Sequence, residues 1–158
     1  MANTQAMCTS FLGELLTATH NFGTAPTRGT GAADTFKGAL YLASATLNAS
    51  TTAYTVSGEV SGTGYSAGGV TVTNATPPAS TNASATAGTA YWTPSASLVY
   101  SGVTLTTAFD TVLIYNSSQS DKAVSVHTFG SQTITAGTFT LTMPSNTTST
   151  ALLRLATT

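Results

Sequence analysis

The residues of this chain that could carry chemistry are few: two histidines, five carboxylates, one cysteine and a glycine-rich run in "SGEVSGTGYSAGGVTVTN", Ser57 to Asn74. A phosphate-binding loop needs backbone amides at a helix N-terminus, usually with a lysine nearby, and a dinucleotide fingerprint needs a strand before it and a helix after it. Here "GTGYSAGG" holds no lysine and runs on into the alternating Val70, Thr71, Val72 and Thr73 of a strand. Gly62, Gly64, Gly68 and Gly69 are therefore read as turn residues that reverse the chain, with Tyr65 packing or projecting between them. No cofactor is expected.

The other constellations are equally thin. His20 and His127 are far apart, with no second histidine or carboxylate at ligand spacing, which speaks against a metal site. Asp110, Ser125 and His127 can be drawn as a nucleophilic triad, yet serine is abundant here and no strand-to-helix nucleophile turn accompanies them. Glu14, Asp34, Glu59, Asp110 and Asp121 include no close pair suited to acid and base roles. Tyr91 and Trp92 beside Pro94 could form a carbohydrate platform, but a lone tryptophan in an all-β chain is more often packed inside. The chain reads as no enzyme. The single Cys8 excludes an internal disulfide and reads as a small buried or idle thiol.

Composition points to the elements that would hold these residues. Charged residues make up 6% of the 158 and the net charge is -1, where ordinary domains carry about 25%. Arg28, Lys37, Lys122 and Arg154 cannot assemble a basic patch for nucleic acid. Threonine supplies about a fifth of the chain, and its β-branched side chain suits a pleated surface while the hydroxyl keeps the outer face wettable. Two accounts of the low charge stand side by side: a component packed at high copy number in a lattice, or a surface that hydroxyls alone keep soluble. "MANTQAMCTSFLGELLTATHNFG" has neither the basic region nor the continuous apolar core of a secretory signal, and no segment has the apolar length of a membrane span.

Helical spacing occurs once, at Phe11, Leu12, Leu15 and Leu16, with Thr9 or Ser10 as cap and Gly23 beyond the end. From Asp34 the period is two: Phe36, Gly38, Leu40 and Leu42 face inward, opposite Lys37, Ala39 and Tyr41. A short strand is expected near Tyr54 and Val56, then "GVTVTN", then "SLVYSGVTLTT" with a bulge at Ser101 and Gly102. "TAFDTVLIYN", apolar on both faces, reads as a central strand, turning through "SSQSDK" into "AVSVHTFG", with "GTFTLTMP" and "ALLRLA" to follow. One domain over 1–158 results, all-β, a β-sandwich or jelly roll of about eight antiparallel strands with a short N-terminal helix and an arm-like segment within 1–33. Phe36, Leu40, Leu113, Phe139 and Leu141 are the expected core, and "NATPPASTNASATAG" a surface loop.

Taken in order, "CTSFLGELLTATHNF", "DTFKGALYLASATL", "YTVSGEVSGTGYSAGGVTVTN", "FDTVLIYNSSQSDKAV" and "GTFTLTMP…ALLRLA" resemble a family of small structural proteins of tailed bacteriophages. The likeness runs over nearly the whole chain. It implies a virion component made in the host cytoplasm, a capsid cement or decoration protein whose partners are the major capsid protein and further copies of itself, with no catalytic residues to carry over. A tail or head-fibre adhesin binding host glycans is the alternative. The segment through Phe22 and the loops 62–69 and 76–90 are the expected contact regions, and Phe11, Tyr65, Pro77, Pro78 and Tyr91 the expected contact residues.

Overall fold

A computed structural model describes residues 2–16, 18–23, 33–81 and 87–157. Its elements are β1 (Ala6–Met7), α1 (Thr9–Leu16), β2 (Phe36–Leu42), β3 (Val70–Thr71), β4 (Ala79–Ser80), β5 (Thr89–Trp92), β6 (Leu98–Asn116), β7 (Lys122–Leu141) and β8 (Leu153–Ala156). Every strand pairing is antiparallel, in a five-stranded sheet ordered β1-β7-β6-β2-β3 and a three-stranded sheet ordered β4-β5-β8. The all-β class expected from the sequence is the class the chain adopts.

The β6–β7 hairpin organises the molecule. Segments that the sequence presents as two strands on either side of the hairpin turn are continuous, 19 residues in β6 and 20 in β7. Irregularities in the ladder explain the apparent breaks. Register shifts fall between Tyr100 and Val103, Val103 and Leu105, Leu105 and Phe109, and Phe109 and Thr111, and Gly102 (φ 64) and Ala136 (φ 47) sit in left-handed conformations. Extra residues bend a ladder and increase its twist. The hairpin accordingly folds back on itself: the rings of Phe129 and Phe139, ten positions apart on β7, lie 5.2 Å apart, and each meets Phe109 edge-on at 6.0 and 5.2 Å. The turn half, from Phe109 to Phe129, is central, with β2 on one side and β1 on the other, and Val112, Leu113, Ile114 and Tyr115 are buried on both faces.

Phe36, Leu40 and Leu113 are fully buried, as expected. Phe139 and Leu141 are only half-buried, because the open half of the hairpin has one layer against it and solvent at its edge. β2 departs from the expected alternation, since Ala39 and Tyr41 are as buried as Phe36 and Leu40. Its second face is closed by the segment that follows: Leu42 N–H donates to Gly58 O, Val60 N–H to Leu40 O, and the Tyr41 hydroxyl to Thr55 O. That segment forms no strand at Tyr54 and Val56. Ala53 makes an isolated bridge to Lys122, and Val56 is 69% exposed.

The helix matches its expected span but not its expected ends. Cys8 precedes it in the capping position, its carbonyl accepting from Phe11 N–H, while the buried Ser10 hydroxyl has no partner among the described residues. It stops before Gly23 because Ala18 (φ 54) turns left-handed, with Thr19 N–H bonded to Glu14 O and Ala18 N–H to Leu15 O, the paired bonds of a Schellman end. The low-complexity loop is partly strand, since Ala79 and Ser80 pair with Tyr91 and Ala90. Residues 82–86 of that loop, and 24–32 of the arm, lie outside the described residues.

Candidate interaction surface

The glycine-rich loop does hold an anion, and it is the chain's own. Glu59, buried, accepts from Gly68 N–H and from the Tyr65 hydroxyl through Oε1, both at 2.7 Å, and from the Tyr54 hydroxyl through Oε2 at 2.6 Å. The Tyr65 oxygen also accepts from Leu40 N–H at 3.0 Å, and the Tyr115 hydroxyl donates to Gly68 O at 2.9 Å. The loop is thus laced to β2 and β6 through buried polar groups, each of which would cost free energy if left unpaired. Glycine is required where it crosses those strands: a Cβ on Gly69 (φ 71) would stand 1.8 Å from Gly38 O, and one on Gly64 (φ 77) 2.3 Å from Gly102 O. Tyr65, expected as a partner contact, spends its hydroxyl inside the molecule.

Five of the six tyrosines surround this carboxylate. Tyr54 stacks on Tyr115 at 4.7 Å, Tyr65 on Tyr100 at 6.1 Å, and the Tyr100 hydroxyl donates to Gly38 O. Burial, then the backbone bond to Thr55 working the other way, then the Glu59 charge leave the Tyr41 hydroxyl pushed up to about 12. Tyr115 rises to about 12 by burial and by the charges of Asp121 and Glu59. Tyr54, Tyr65 and Tyr100 are raised further, first by burial and then by Glu59. These phenols act as fixed hydrogen-bond donors, not as acids or bases near neutrality.

Of the triad drawn from sequence, the fold joins two members. Ser125 Oγ and His127 Nε2 are 2.8 Å apart on β7, whereas Asp110 accepts from Asn3 Nδ2 at 2.9 Å and from the Thr111 hydroxyl at 2.7 Å. With its carboxylate engaged there, Asp110 does not orient the imidazole. Burial pushes His127 down to about 4.

A second polar network escaped the sequence reading. His20 Nε2 meets Glu14 Oε2 at 2.7 Å, and Lys122 Nζ meets Glu14 Oε1 at 2.7 Å. Asn116 Nδ2 reaches both His20 Nδ1 at 3.0 Å and Asp34 Oδ2 at 2.8 Å. Burial alone would raise Glu14, but the hydrogen bonds from Lys122 and His20 outweigh it and hold the carboxyl below its usual range. The only sequence signal was the short separation of Glu14 and His20; Asn116 and Lys122 arrive through the hairpin turn. Packed against Phe11, Phe22 and Phe36, the imidazole fastens α1 and its exit to the central sheet. Among the described residues, no group of three or more His, Cys, Asp or Glu is arranged to hold a metal ion.

Three of the expected contact residues do converge. Phe11 of α1, Pro78 before β4 and Tyr91 of β5 line one apolar groove of about 110 Å³, with Leu15, Phe22 and Trp92 beneath and Leu153 and Leu155 of β8 along its side. Among the described residues, Tyr91 brings the one side-chain hydroxyl and no charged residue lines the groove. Phe11 is almost wholly covered by the fold, so it forms the base of the groove and not a projecting contact. Beside it Leu155 is 41% exposed, and on α1 Leu12 is 45% exposed. Pro77 is exposed next to Pro78. Trp92 is 3% exposed, its indole N–H donating to Asn74 Oδ1 at 2.8 Å and its ring against Phe22 at 4.7 Å, so Trp92 presents no face to a sugar.

No protein-family model matches the chain, no curated protein matches its sequence, and no solved structure matches its fold.

Proposed function

We propose that this chain is a non-enzymatic structural protein of a tailed-phage virion, a capsid cement or decoration protein that seats an apolar segment of the major capsid protein in the groove between α1 and the β4-β5-β8 sheet. The observation that carries the reading is that groove: apolar, without a charged side chain among the described residues that line it, and edged by the part-exposed Leu155, on a molecule almost without charge. Binding there draws on burial of apolar area, worth about 25 cal/mol per Å², while exposed ion pairs would add only about 0–1 kcal/mol each. Association should therefore be insensitive to salt. The virion setting rests on the resemblance of the sequence segments, in their order, to small structural proteins of tailed phages. In the adhesin alternative the aromatic platform would rest on Tyr91 alone, because Trp92 is buried.

The test is retention on purified virions washed from low to high salt, for the parent and for Leu155→Glu, which places a charge at the groove where the side chain is already part-exposed. The parent should stay bound at hundreds of copies per particle, and the folded variant should be released. Release of the parent by moderate salt refutes an apolar seat. A small multiple of three or six copies at the tail assigns the adhesin role instead.

A further inference from the structure

The Ser125 and His127 pair, left without an orienting carboxylate, lines a cleft that the proposed function does not use. The cleft measures about 410 Å³ and lies between the sheet edge where β1 pairs with β7 and the segment that leads into β8. Sites for small ligands commonly enclose about 300–1,000 Å³. Ser125 is buried and His127 part-buried in its wall. Burial pushes His127 down to about 4, so the imidazole is neutral near pH 7. A neutral imidazole 2.8 Å from a hydroxyl leaves one donor over: Nδ1–H where Ser125 donates to Nε2, or the Ser125 hydroxyl where Nε2–H donates to Oγ. Nδ1 has no hydrogen-bond partner among the described residues. Arg154 lines the same cleft. Its Nη1 donates to Ser149 O at 2.8 Å, its other donors have no partner among the described residues, and the ion pairs among those residues both involve Glu14 instead. In 1–8 and 123–158, the segments that build the cleft, Arg154 is the one charged side chain, so no carboxylate of these segments opposes it. Met7, Pro144, Leu152 and Leu153 give the cleft an apolar side.

We propose that this cleft binds a monocarboxylate carried on a short aliphatic chain, its oxygens held by the Arg154 guanidinium and by the donor that Ser125 and His127 leave over. The class of ligand follows from the lining. A planar guanidinium presents a fork of donors that matches a carboxylate bidentately. One negative charge balances the one cation, whereas a phosphate would bring charge that the cleft leaves unpaired, and an amine would meet the cation unfavourably. The aliphatic chain then lies against Met7, Leu152 and Leu153. The chemistry is the same whether the carboxylate belongs to a free acid or to a glutamate side chain of another protein. This site differs in chemistry from the apolar groove and does not rest on the capsid reading.

The two histidines report on the test, a titration of the purified protein with sodium acetate, propanoate and butanoate at constant ionic strength, followed by NMR. The His127 resonances should shift to saturation in the millimolar range, while those of His20, held by Glu14 and Asn116, stay in place. Affinity should rise about threefold per methylene along the series. Butylamine and inorganic phosphate at the same ionic strength should give no saturable shift. Arg154→Gln, at an exposed side chain, should leave circular dichroism unchanged and weaken butanoate about tenfold, with Arg154→Lys between it and the parent. Glutamate blocked at both its amino and α-carboxyl groups stands in for a protein side chain: tighter binding than butanoate assigns the site to a protein carboxylate, weaker binding to a free acid, and either carries the proposal. A His127 resonance that no carboxylate shifts to saturation overturns it. So does a folded Arg154→Gln that binds butanoate like the parent, or phosphate that binds as well as butanoate.

Discussion

Raising the pH tests the tyrosine cage around Glu59 directly. Tyr41, Tyr100 and Tyr115 are buried, with Tyr41 and Tyr115 pushed up to about 12 and Tyr100 raised more. In the unfolded chain a tyrosine ionises near pH 10. The unfolded state therefore releases phenolic protons first, and stability is lost as pH rises from about 10 toward 12, the opposite limb from a depressed carboxylate. At pH 11 each of the three costs about 1.4 kcal/mol, about 4 kcal/mol together, with a slope approaching three protons. Half-buried Tyr54 and Tyr65, which donate to Glu59, steepen it. Against a total stability of about 5–15 kcal/mol that loss is large. Urea unfolding between pH 8 and 11, followed by circular dichroism, should give the slope, and phenolate absorbance should rise together with unfolding. Tyr100→Phe should reduce the slope by about one proton. Phenolate absorbance that climbs near pH 10 while the urea midpoint stays constant would refute the cage.

Three further outcomes are expected. Leu113→Ala, at the fully buried centre of β6, should cost about 2–5 kcal/mol, read from the urea midpoint. Gly69→Ala should destabilise by several kcal/mol and free Tyr65, seen as tyrosine fluorescence or proteolysis within 57–69, because its Cβ would meet the Gly38 carbonyl and its φ is 71°. On the acid side His127, pushed down to about 4, binds its proton first in the unfolded chain; stability should fall by about 1–3 kcal/mol as pH drops from 6.5 to 4, and His127→Gln should flatten that limb without altering the neutral midpoint by a comparable amount.

Periodicity in the sequence carried the strands that form the middle of the large sheet. Phe36 and Leu40 of β2 share one face because a two-residue repeat selects which face meets the core, and the consecutive apolar Val112, Leu113 and Ile114 of "TAFDTVLIYN" mark a strand covered on both faces. The continuity of β6 and β7 was hidden by the same signal. Bulges at Gly102, Ala136 and beside Phe109 reset the alternation, so one bent ladder reads as two strands on each side. Burial of Tyr41 was equally illegible, since it depends on a covering segment with no regular period, fixed by hydrogen bonds from residues 55–60.

Contact residues were legible only to the extent that apolar type implies surface use in an irregular segment. Pro78 and Tyr91 meet at the groove because β4 pairs with β5, a pairing of two residues each that no pattern in "NATPPASTNASATAG" announces. Tyr65 shows the opposite case: flanked by glycines it resembles a projecting side chain, yet those glycines let the loop approach β2 closely enough for its hydroxyl to bridge Glu59 and Leu40 N–H. A glycine-rich loop with one carboxylate inside it can thus be closed on its own charge. Glu59→Gln separates that closure from a vacant anion site, because the amide cannot accept all three donors. Loss of stability by about 1–3 kcal/mol with no gain of phosphate binding is the outcome an internally satisfied loop requires. Phosphate binding that appears in the variant, monitored by calorimetry with inorganic phosphate, would mean that the amide of Gly68 had been withheld from an external anion by Glu59 alone.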